Sequence, residues 1–321
     1  MVLYSKDALK SRLDNVSENG RLPHAIMFSG TRGSGRRTMA RYAAQLFICR
    51  NSACGKCAVC RAIESDSHPD VIFVKQSMPE GKYSAEPFRE LLRESAVKPN
   101  DGDVKIYVFE DCDDMLPVLH NTLLKQIEEP MPHLRFIFTA ENTAVIPETV
   151  MSRVTEYAVP DPTIPDCVRA LTDSGVERRK AGELAELFSG NIGRCKMLLS
   201  ETDKESAAEL AVIDSARRAA KALGNRDMFG TAAALSEQTN RASFAEMFRI
   251  FSHILRDALA VKYGTQAEFL AKDEARRIAD AYSSEQLLKM LDAAVEIEQN
   301  AVYNLNLALT VTYFMSFVMG F

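Results

Sequence analysis

Residues 30–38 read G-T-R-G-S-G-R-R-T, and this stretch decides the fold. Its spacing fits the phosphate-binding loop G-x-x-x-x-G-K-[ST], whose backbone amides cradle phosphate while the lysine reaches the β- and γ-phosphates and the hydroxyl holds Mg²⁺. The loop glycines are Gly30, Gly33 and Gly35. Arg36 replaces the lysine and Arg37 replaces the hydroxyl residue. Because a guanidinium cannot ligate magnesium, the stretch predicts a nucleotide-binding fold that does not hydrolyse its own nucleotide.

The composition is that of an ordinary globular protein, with 46% hydrophobic and 26% charged residues among 321. This length predicts two or three domains. The net charge of −5 argues against strong DNA binding by the isolated chain, because phosphate contacts need clustered lysine and arginine. The N-terminus lacks an apolar run long enough for a signal peptide. Polar side chains interrupt residues 301–321, which we interpret as a buried helix rather than a membrane span.

Proline divides the chain, since all twelve prolines lie at or before Pro165. Apolar runs before that point alternate with helical patterns, which predicts an α/β fold with a parallel sheet. The runs are Ala25–Phe28, Val71–Val74, Ile106–Phe109, Phe136–Phe138 and Val154–Val159, and the helical patterns are Arg36–Cys49, Pro87–Val97 and Pro117–Glu128. We expect an α/β domain over 1–160, a small helical domain over 161–204 and a helix bundle over 205–321.

Four cysteines form the strongest chemical signal: Cys49, Cys54, Cys57 and Cys60 read C-x4-C-G-K-C-x2-C. Two-residue spacings let thiolates converge on one ion, and four thiolates make a closed tetrahedral zinc site with a structural role. The module, 49–60, is more typical of metal binding in a reducing cytoplasm than of disulfides. An iron–sulfur cluster is the alternative, because C-x4-C-x2-C also begins a ferredoxin spacing.

An apolar strand ending in acids forms a second motif, V-F-E-D-C-D-D-M at residues 108–115. Such a strand end places one acid beside Mg²⁺ and another beside the attacking water in nucleotide hydrolases. Here the usual Asp-Glu order is reversed to Glu110 and Asp111. The reversal strengthens the interpretation of a nucleotide site that no longer works.

Taken together, the motifs resemble bacterial clamp-loader subunits of the DNA polymerase III holoenzyme, which are AAA+ proteins, and among these the delta-prime type. The resemblance covers most of the chain, and its pieces occur in order: R-L-P-H-A-I-M-F at 21–28, the phosphate loop, the cysteine module, S-H-P-D at 67–70, V-K-P-N-D-G-D-V-K-I-Y-V-F-E at 97–110, N-T-L-L-K-Q-I-E-E-P at 121–130, Ser152 with Arg153, and N-L-N-L-A-L at 304–309. Val154 stands where the family has cysteine, and Gly193 stands where ATP-hydrolysing members have the arginine of the sensor-2 motif.

This resemblance implies an AAA+ domain, a helical lid over 161–204 and an oligomerisation collar over 205–321. It implies a stator-like subunit that does not bind ATP productively. In the family, such a subunit assembles with gamma or tau and delta subunits in the cytoplasm. The complex loads the sliding clamp onto primed DNA for the polymerase holoenzyme. Arg153, next to Ser152, would be the arginine finger that reaches the ATP site of the neighbouring subunit.

Two other functions remain open from the sequence. One is an ATP-hydrolysing subunit of the gamma or tau type, with Arg36 partly replacing the lysine. The other is a metal-based redox or sensing protein built on the four cysteines. ATP binding distinguishes the first from a stator, and the ultraviolet–visible spectrum identifies an iron cluster.

Overall fold

The computed structural model describes residues 3–74, 88, 97–200, 204–265, 271–301 and 306–319. Of the helix predicted over Pro87–Val97, only Phe88 and Val97 are described, and the first two residues of the 304–309 motif also lie outside the described residues.

Five strands form one sheet in the described part of the chain, and every neighbouring pair is parallel. They are β1 (Ala25–Ser29), β2 (Val71–Val74), β3 (Lys105–Phe109), β4 (Leu134–Ala140) and β5 (Thr155–Ala158). Their spatial order is β2-β3-β4-β1-β5. Each strand overlaps an apolar run of the sequence, and the prediction of an α/β fold with a parallel sheet and a C-terminal helical region is confirmed.

The two faces of the sheet are buried by different side chains, as the alternation of residues along a strand requires. On one face, the rings of Phe109, Phe136 and Phe138 stack on one another, with Tyr107 beside them. The other face buries aliphatic residues and Phe28. Because both faces are covered, strands β1, β3 and β4 are largely apolar and do not alternate with polar residues. The edge strand β5 reads T-E-Y-A and buries only Tyr157.

The helices are α1 (Asp7–Glu18), α2 (Arg36–Ile48), α3 (Ala58–Glu64), α4 (Pro117–Glu128), α5 (Glu148–Met151), α6 (Ile164–Asp173), α7 (Arg178–Leu187), α8 (Ile192–Leu199), α9 (Lys204–Gly224), α10 (Met228–Leu235), α11 (Arg241–Lys262), α12 (Lys272–Ala281), α13 (Ser284–Asn300) and α14 (Leu307–Met319). Several begin at recognisable signals. Pro117 is the first residue of α4, where its missing N–H costs nothing. Ser283 and Gln286 form a reciprocal capping box at the start of α13.

The order of the strands places the phosphate loop at the end of an inner strand of the sheet. The loop follows β1, which lies between β4 and β5. In a parallel sheet, all strands end at the same edge. The loop after Ser29, the acids after Phe109 and Thr139 near the end of β4 therefore meet at one edge.

Contacts within the described residues divide the chain into two compact units. The first contains Met1–Ala170 and Asn191–Gly193, and the second contains Leu171–Gly190 and Arg194–Phe321. The first unit holds the sheet, and the regular elements described in the second are all helices joined by turns. The finer division into an AAA+ domain, a lid and a collar at residues 160 and 204 stays a prediction.

The helical unit has an aromatic core and a polar hub. Phe248, Phe251 and Phe314 pack edge to face. The Arg194 guanidinium donates to Glu209 and Glu246. Burial alone would raise the pKa of Glu246, but hydrogen bonds and charges from Arg249 and Arg194 hold that pKa below its usual value. Arg194 directly follows Gly193, which occupies the position of the sensor-2 arginine. Its guanidinium is used in these ion pairs with Glu209 and Glu246.

Among the described residues, we find no helix with both the length and the apolar character needed to cross a bilayer.

Candidate phosphate-loop site and metal centre

The phosphate loop keeps its backbone shape because three glycines occupy positions that other residues would strain. Gly33 and Gly35 have φ angles of +85° and +103°. At Gly30, a Cβ atom would lie 2.6 Å from the carbonyl oxygen of Val159 on the neighbouring chain segment. Gly35 precedes α2, so the loop delivers the chain into that helix at Arg36. The loop geometry expected from the sequence is therefore present.

Arg36 and Arg37 contact the two acids that follow β3. Arg36 Nη2 lies 3.1 Å from Asp111 Oδ1, and Arg37 Nη2 lies 2.8 Å from Asp111 Oδ2. Arg37 Nε also lies 3.3 Å from Glu110 Oε2. The structure thus brings the altered loop and the altered acid pair together in one set of ion pairs, which we call the charge cluster.

Two members of the charge cluster are almost fully buried, so their ion pairs matter for stability. The exposed fraction of the side chain is 7% for Arg36 and 2% for Glu110. A buried charge without a counter-charge is strongly destabilising, so each member needs its partners. Asp111 is held in place by its own backbone, which has a φ of +50° and donates its N–H to Thr139 Oγ1. The two guanidinium groups therefore form ion pairs with carboxylate oxygens that would otherwise be available to a metal ion.

A short segment at the start of α8 packs directly on the loop. The Asn191 side chain donates to the carbonyl oxygen of Arg32 at 2.7 Å, and the Gly193 N–H donates to the carbonyl oxygen of Gly33 at 3.1 Å. A Cβ atom on residue 193 would lie 2.4 Å from the Cα atom of Gly33. The glycine at position 193 therefore has a structural reason of its own, because a side chain would clash with the backbone of Gly33.

Sequence reasoning missed Lys6, which lies beside the same loop. Its Cε atom is 3.6 Å from the position of a Cβ on Gly35, and its ammonium donates to the carbonyl oxygen of Pro160. Burial lowers the pKa of Lys6 to about 8, with the charge of Asp161 opposing the shift. A single lysine before an amphipathic helix carries no sequence signal that distinguishes it from a solvated side chain.

The four cysteines predicted to bind metal converge in the structure. Cys49 follows the last residue of α2, Cys57 caps α3 and Cys60 lies in its first turn. The Cys49 Sγ lies 3.8 Å from that of Cys54 and 3.7 Å from that of Cys57, and all four sulfurs lie within 4.8 Å of one another.

These distances fit one tetrahedral ion. Four sulfurs placed about 2.3 Å from a central ion are separated by about 3.8 Å. A multi-iron cluster would spread the same four thiolates over several metal atoms and hold them further apart. Backbone N–H groups of Lys56 and Cys57 lower the pKa of Cys54 to about 6, so one ligand is readily deprotonated, while burial raises the pKa of Cys60. The donor set can hold a metal ion.

The other three cysteines, Cys112, Cys167 and Cys195, are buried.

Arg153 lies on the surface, away from the contacts of the charge cluster. It follows α5 and Ser152, and the exposed fraction of its side chain is 37%. Its Nη1 donates to the carbonyl oxygen of Thr149 at 2.7 Å and to Ser152 Oγ at 3.0 Å. Its Nη2 lies 2.7 Å from Glu128 Oε1. The guanidinium is therefore exposed to solvent and also restrained by its own chain.

The N-terminal part of the chain is similar to subunits of DNA polymerase III. Residues 5–163 match the model of a family described as DNA polymerase III, delta subunit. The tau subunit of DNA polymerase III from Escherichia coli is 32% identical over 159 residues, which is 48% of this chain and 24% of that protein. The gamma subunit from Buchnera aphidicola is 32% identical over 151 residues, which is 46% of this chain and 40% of that protein. The match thus spans less than half the length of these relatives.

Solved structures are more distant. A DNA polymerase III gamma-subunit-related protein from Thermotoga maritima aligns with a TM-score of 0.41 and 16% identity, covering 96% of this chain and 98% of that one. A DNA clamp loader delta protein from Bacillus subtilis aligns with a TM-score of 0.34 and 10% identity, covering 97% and 99%. The fold described above does not depend on these two likenesses.

The close approach of α8 to the loop is tested by Gly193→Ala. The added methyl group meets the backbone of Gly33, so we expect a loss of about 1–3 kcal/mol in the free energy of unfolding, as for other overpacked contacts. Hydrogen exchange should increase at residues 30–35 and 191–193. Gly182→Ala is the matched control, because Gly182 lies within α7 with nothing within 4 Å of its added methyl. Alanine there should stabilise by about 0.5–1 kcal/mol. Equal effects at the two sites would contradict the proposed contact.

Proposed function

We propose that this chain, whose residues 5–163 belong to the DNA polymerase III clamp-loader family, is a delta-prime-type subunit that does not hydrolyse ATP. In this role it is a stator of a hetero-oligomeric clamp loader, and it helps to load the sliding clamp onto primed DNA. Its contribution to chemistry is made in trans, through Arg153, at the ATP site of a neighbouring gamma or tau subunit.

One observation carries the proposal: the Arg37 guanidinium contacts both Glu110 and Asp111. A working nucleotide site needs a hydroxyl from the loop and a free carboxylate to hold Mg²⁺ between the phosphates. Arg37 removes the hydroxyl and neutralises the carboxylates. The segment Asn191–Gly193, seated on the loop, adds a second obstacle to a bound triphosphate.

The exposure of Arg153 supports its use at another subunit's site. Charge develops on the phosphoryl oxygens during transfer, and a guanidinium supplied from outside stabilises it. Such a group must be accessible on the donor's surface and must keep a planar fork of N–H donors. Arg153 meets both requirements, and Ser152 fixes one edge of its guanidinium.

The alternative function is an ATP-hydrolysing subunit of the gamma or tau type. The names of the curated relatives favour it, since the matches are to gamma and tau subunits. Direct measurement of ATP binding by the isolated chain separates the two functions.

The four cysteines are proposed to hold a structural zinc ion. When bound, zinc would supply a crosslink among the end of α2, the 50–56 loop and the start of α3. Four protein thiolates leave no open coordination position, which favours a structural role over a catalytic one.

The C-terminal helices over 205–321 are proposed as the collar that joins gamma or tau and delta subunits. Large apolar side chains stay exposed in the described part of this region. Phe229 is 90% exposed and Leu309 is 68% exposed, and Tyr313 is half-exposed beside Leu309 on α14.

ATP binding is tested first by calorimetry with Mg²⁺ and the isolated chain. We expect binding weaker than millimolar and no hydrolysis, because Arg37 forms ion pairs with both acids and Arg36 with Asp111. A micromolar dissociation constant would contradict the stator. Turnover that Glu110→Ala abolishes would establish the gamma or tau alternative.

Metal content is tested by elemental analysis of the purified full chain. We expect about one zinc ion per molecule, and Cys57→Ser should reduce it because one of four ligands is lost. Cys167→Ala is the matched control, since this buried cysteine lies outside the cluster, and it should retain zinc. Stoichiometric iron, or unchanged zinc in Cys57→Ser, would contradict the assignment.

The arginine finger is tested by clamp- and DNA-stimulated ATPase of the rebuilt complex. Arg153→Ala should lower total turnover while leaving assembly and zinc content intact. A finger is worth about 10³–10⁵ in rate at a site that it governs fully, but only one of several sites borders this chain, so the total loss is partial unless the sites act in a coupled sequence. Arg153→Lys should restore little, because a point charge does not replace the planar fork.

Arg169→Ala provides the control for this test. Arg169 is also an exposed arginine paired with an acid, Asp166, and its removal should leave turnover unchanged. Wild-type turnover in Arg153→Ala would remove the finger role.

A further inference from the structure

We propose that Glu128 is a positioning residue for Arg153, whose carboxylate holds the guanidinium ready to meet a phosphate presented by a neighbouring subunit. The inference rests on the proposed function and adds to it the residue that orients the finger. Glu128 is the last residue of α4, and Arg153 lies just beyond α5, so the contact joins two separate elements.

Three contacts hold the guanidinium. Two are local, from Nη1 to the carbonyl oxygen of Thr149 and to Ser152 Oγ. Both partners belong to the turn that carries Arg153, so they cannot fix its direction relative to the sheet. The third contact, 2.7 Å from Nη2 to Glu128 Oε1, comes from a helix packed into the core through Leu123 and Ile127. Glu128 is therefore the partner that ties the guanidinium to the rigid part of the unit.

The donors that these contacts use matter for phosphate binding. A guanidinium has five N–H groups. The Nη1 group donates to Thr149 and Ser152, and Nη2 lies 2.7 Å from a carboxylate oxygen of Glu128 in an ion pair. Among the contacts described for Arg153, none involves Nε. The edge formed by Nε and Nη2 presents a parallel pair of donors of the kind that binds two oxygens of one phosphate.

Ordering the Arg153 guanidinium before it meets a phosphate reduces the entropy that is lost on binding. Arginine loses much rotamer freedom when its side chain is ordered. A group that is ordered before it meets its target loses less on binding, which is why preorganised donors stabilise a transition state more than mobile ones. The pair is half-exposed, with exposed fractions of 37% for Arg153 and 45% for Glu128. Its effect should therefore be modest, as for other surface ion pairs.

The experiment uses the complex rebuilt from full-length subunits, and it measures kcat and KM for ATP with clamp and primed DNA. Glu128→Ala should lower the part of kcat that depends on Arg153 by about two- to fivefold, the range of a surface ion pair, with KM unchanged. Glu128→Gln should retain part of the rate, because its amide oxygen offers an acceptor beside Nη2 although the charge is lost. In the Arg153→Ala background, neither substitution at residue 128 should have an effect.

Lys10→Ala is the control, because Lys10 forms a partly exposed ion pair with Asp14 on a different element, α1, outside the proposed collar, and it should leave kcat unchanged. If Arg153→Ala slows the complex but Glu128→Ala does not, or accelerates it, the positioning role is overturned while the proposed function stands. An equal loss in the Arg153→Ala background would place the effect of Glu128 elsewhere and also overturn it. If Arg153→Ala itself has no effect, the proposed function fails first.

Discussion

The charge cluster of Arg36, Arg37, Glu110 and Asp111 is the interaction on which the phosphate-loop edge of the sheet depends. Two guanidinium groups and two carboxylates neutralise one another at a site where Arg36 and Glu110 are almost fully buried. Separating them would leave buried charge without a partner, which costs far more than a surface ion pair contributes. In a nucleotide hydrolase, a metal ion and a triphosphate lie beside the acids at this edge of the sheet. In this chain, the side chains of Arg36 and Arg37 lie beside them.

Helix α2 transmits this arrangement through the unit. It begins at Arg36, in the charge cluster, and ends at Ile48, directly before the first cysteine of the metal centre. Most of its side chains between these points are buried against the aliphatic face of the sheet. The charge cluster and the four cysteines thus lie at opposite ends of one packed helix. An arrangement of this kind supports the proposed role of a rigid subunit.

A closed nucleotide edge and an accessible arginine are complementary features. The segment Asn191–Gly193 donates to the loop carbonyls of Arg32 and Gly33, so the loop binds its own chain. Arg153, by contrast, keeps part of its guanidinium exposed while Glu128, Thr149 and Ser152 restrain it. This distribution supports the proposal that the chain completes a neighbour's site and does not hydrolyse ATP at its own.

The sequence alone determined the parallel sheet, the phosphate loop and the four-cysteine module, because each depends on local patterns: apolar runs, glycine spacing and cysteine spacing. It also identified Arg36, Arg37, Glu110 and Asp111 as departures from the nucleotide-site motifs. From sequence, each departure indicated only a group that the motif lacks. Tertiary structure alone decided that these four residues pair with one another and that Gly193 is required by a backbone approach to Gly33. It also decided that Lys6 lies beside the loop and that Glu128 pairs with Arg153. The physical reason is distance along the chain: residues separated by 25 to 160 positions interact only after the sheet has brought their strands and helices to a common edge, and a single sequence carries no record of such pairs.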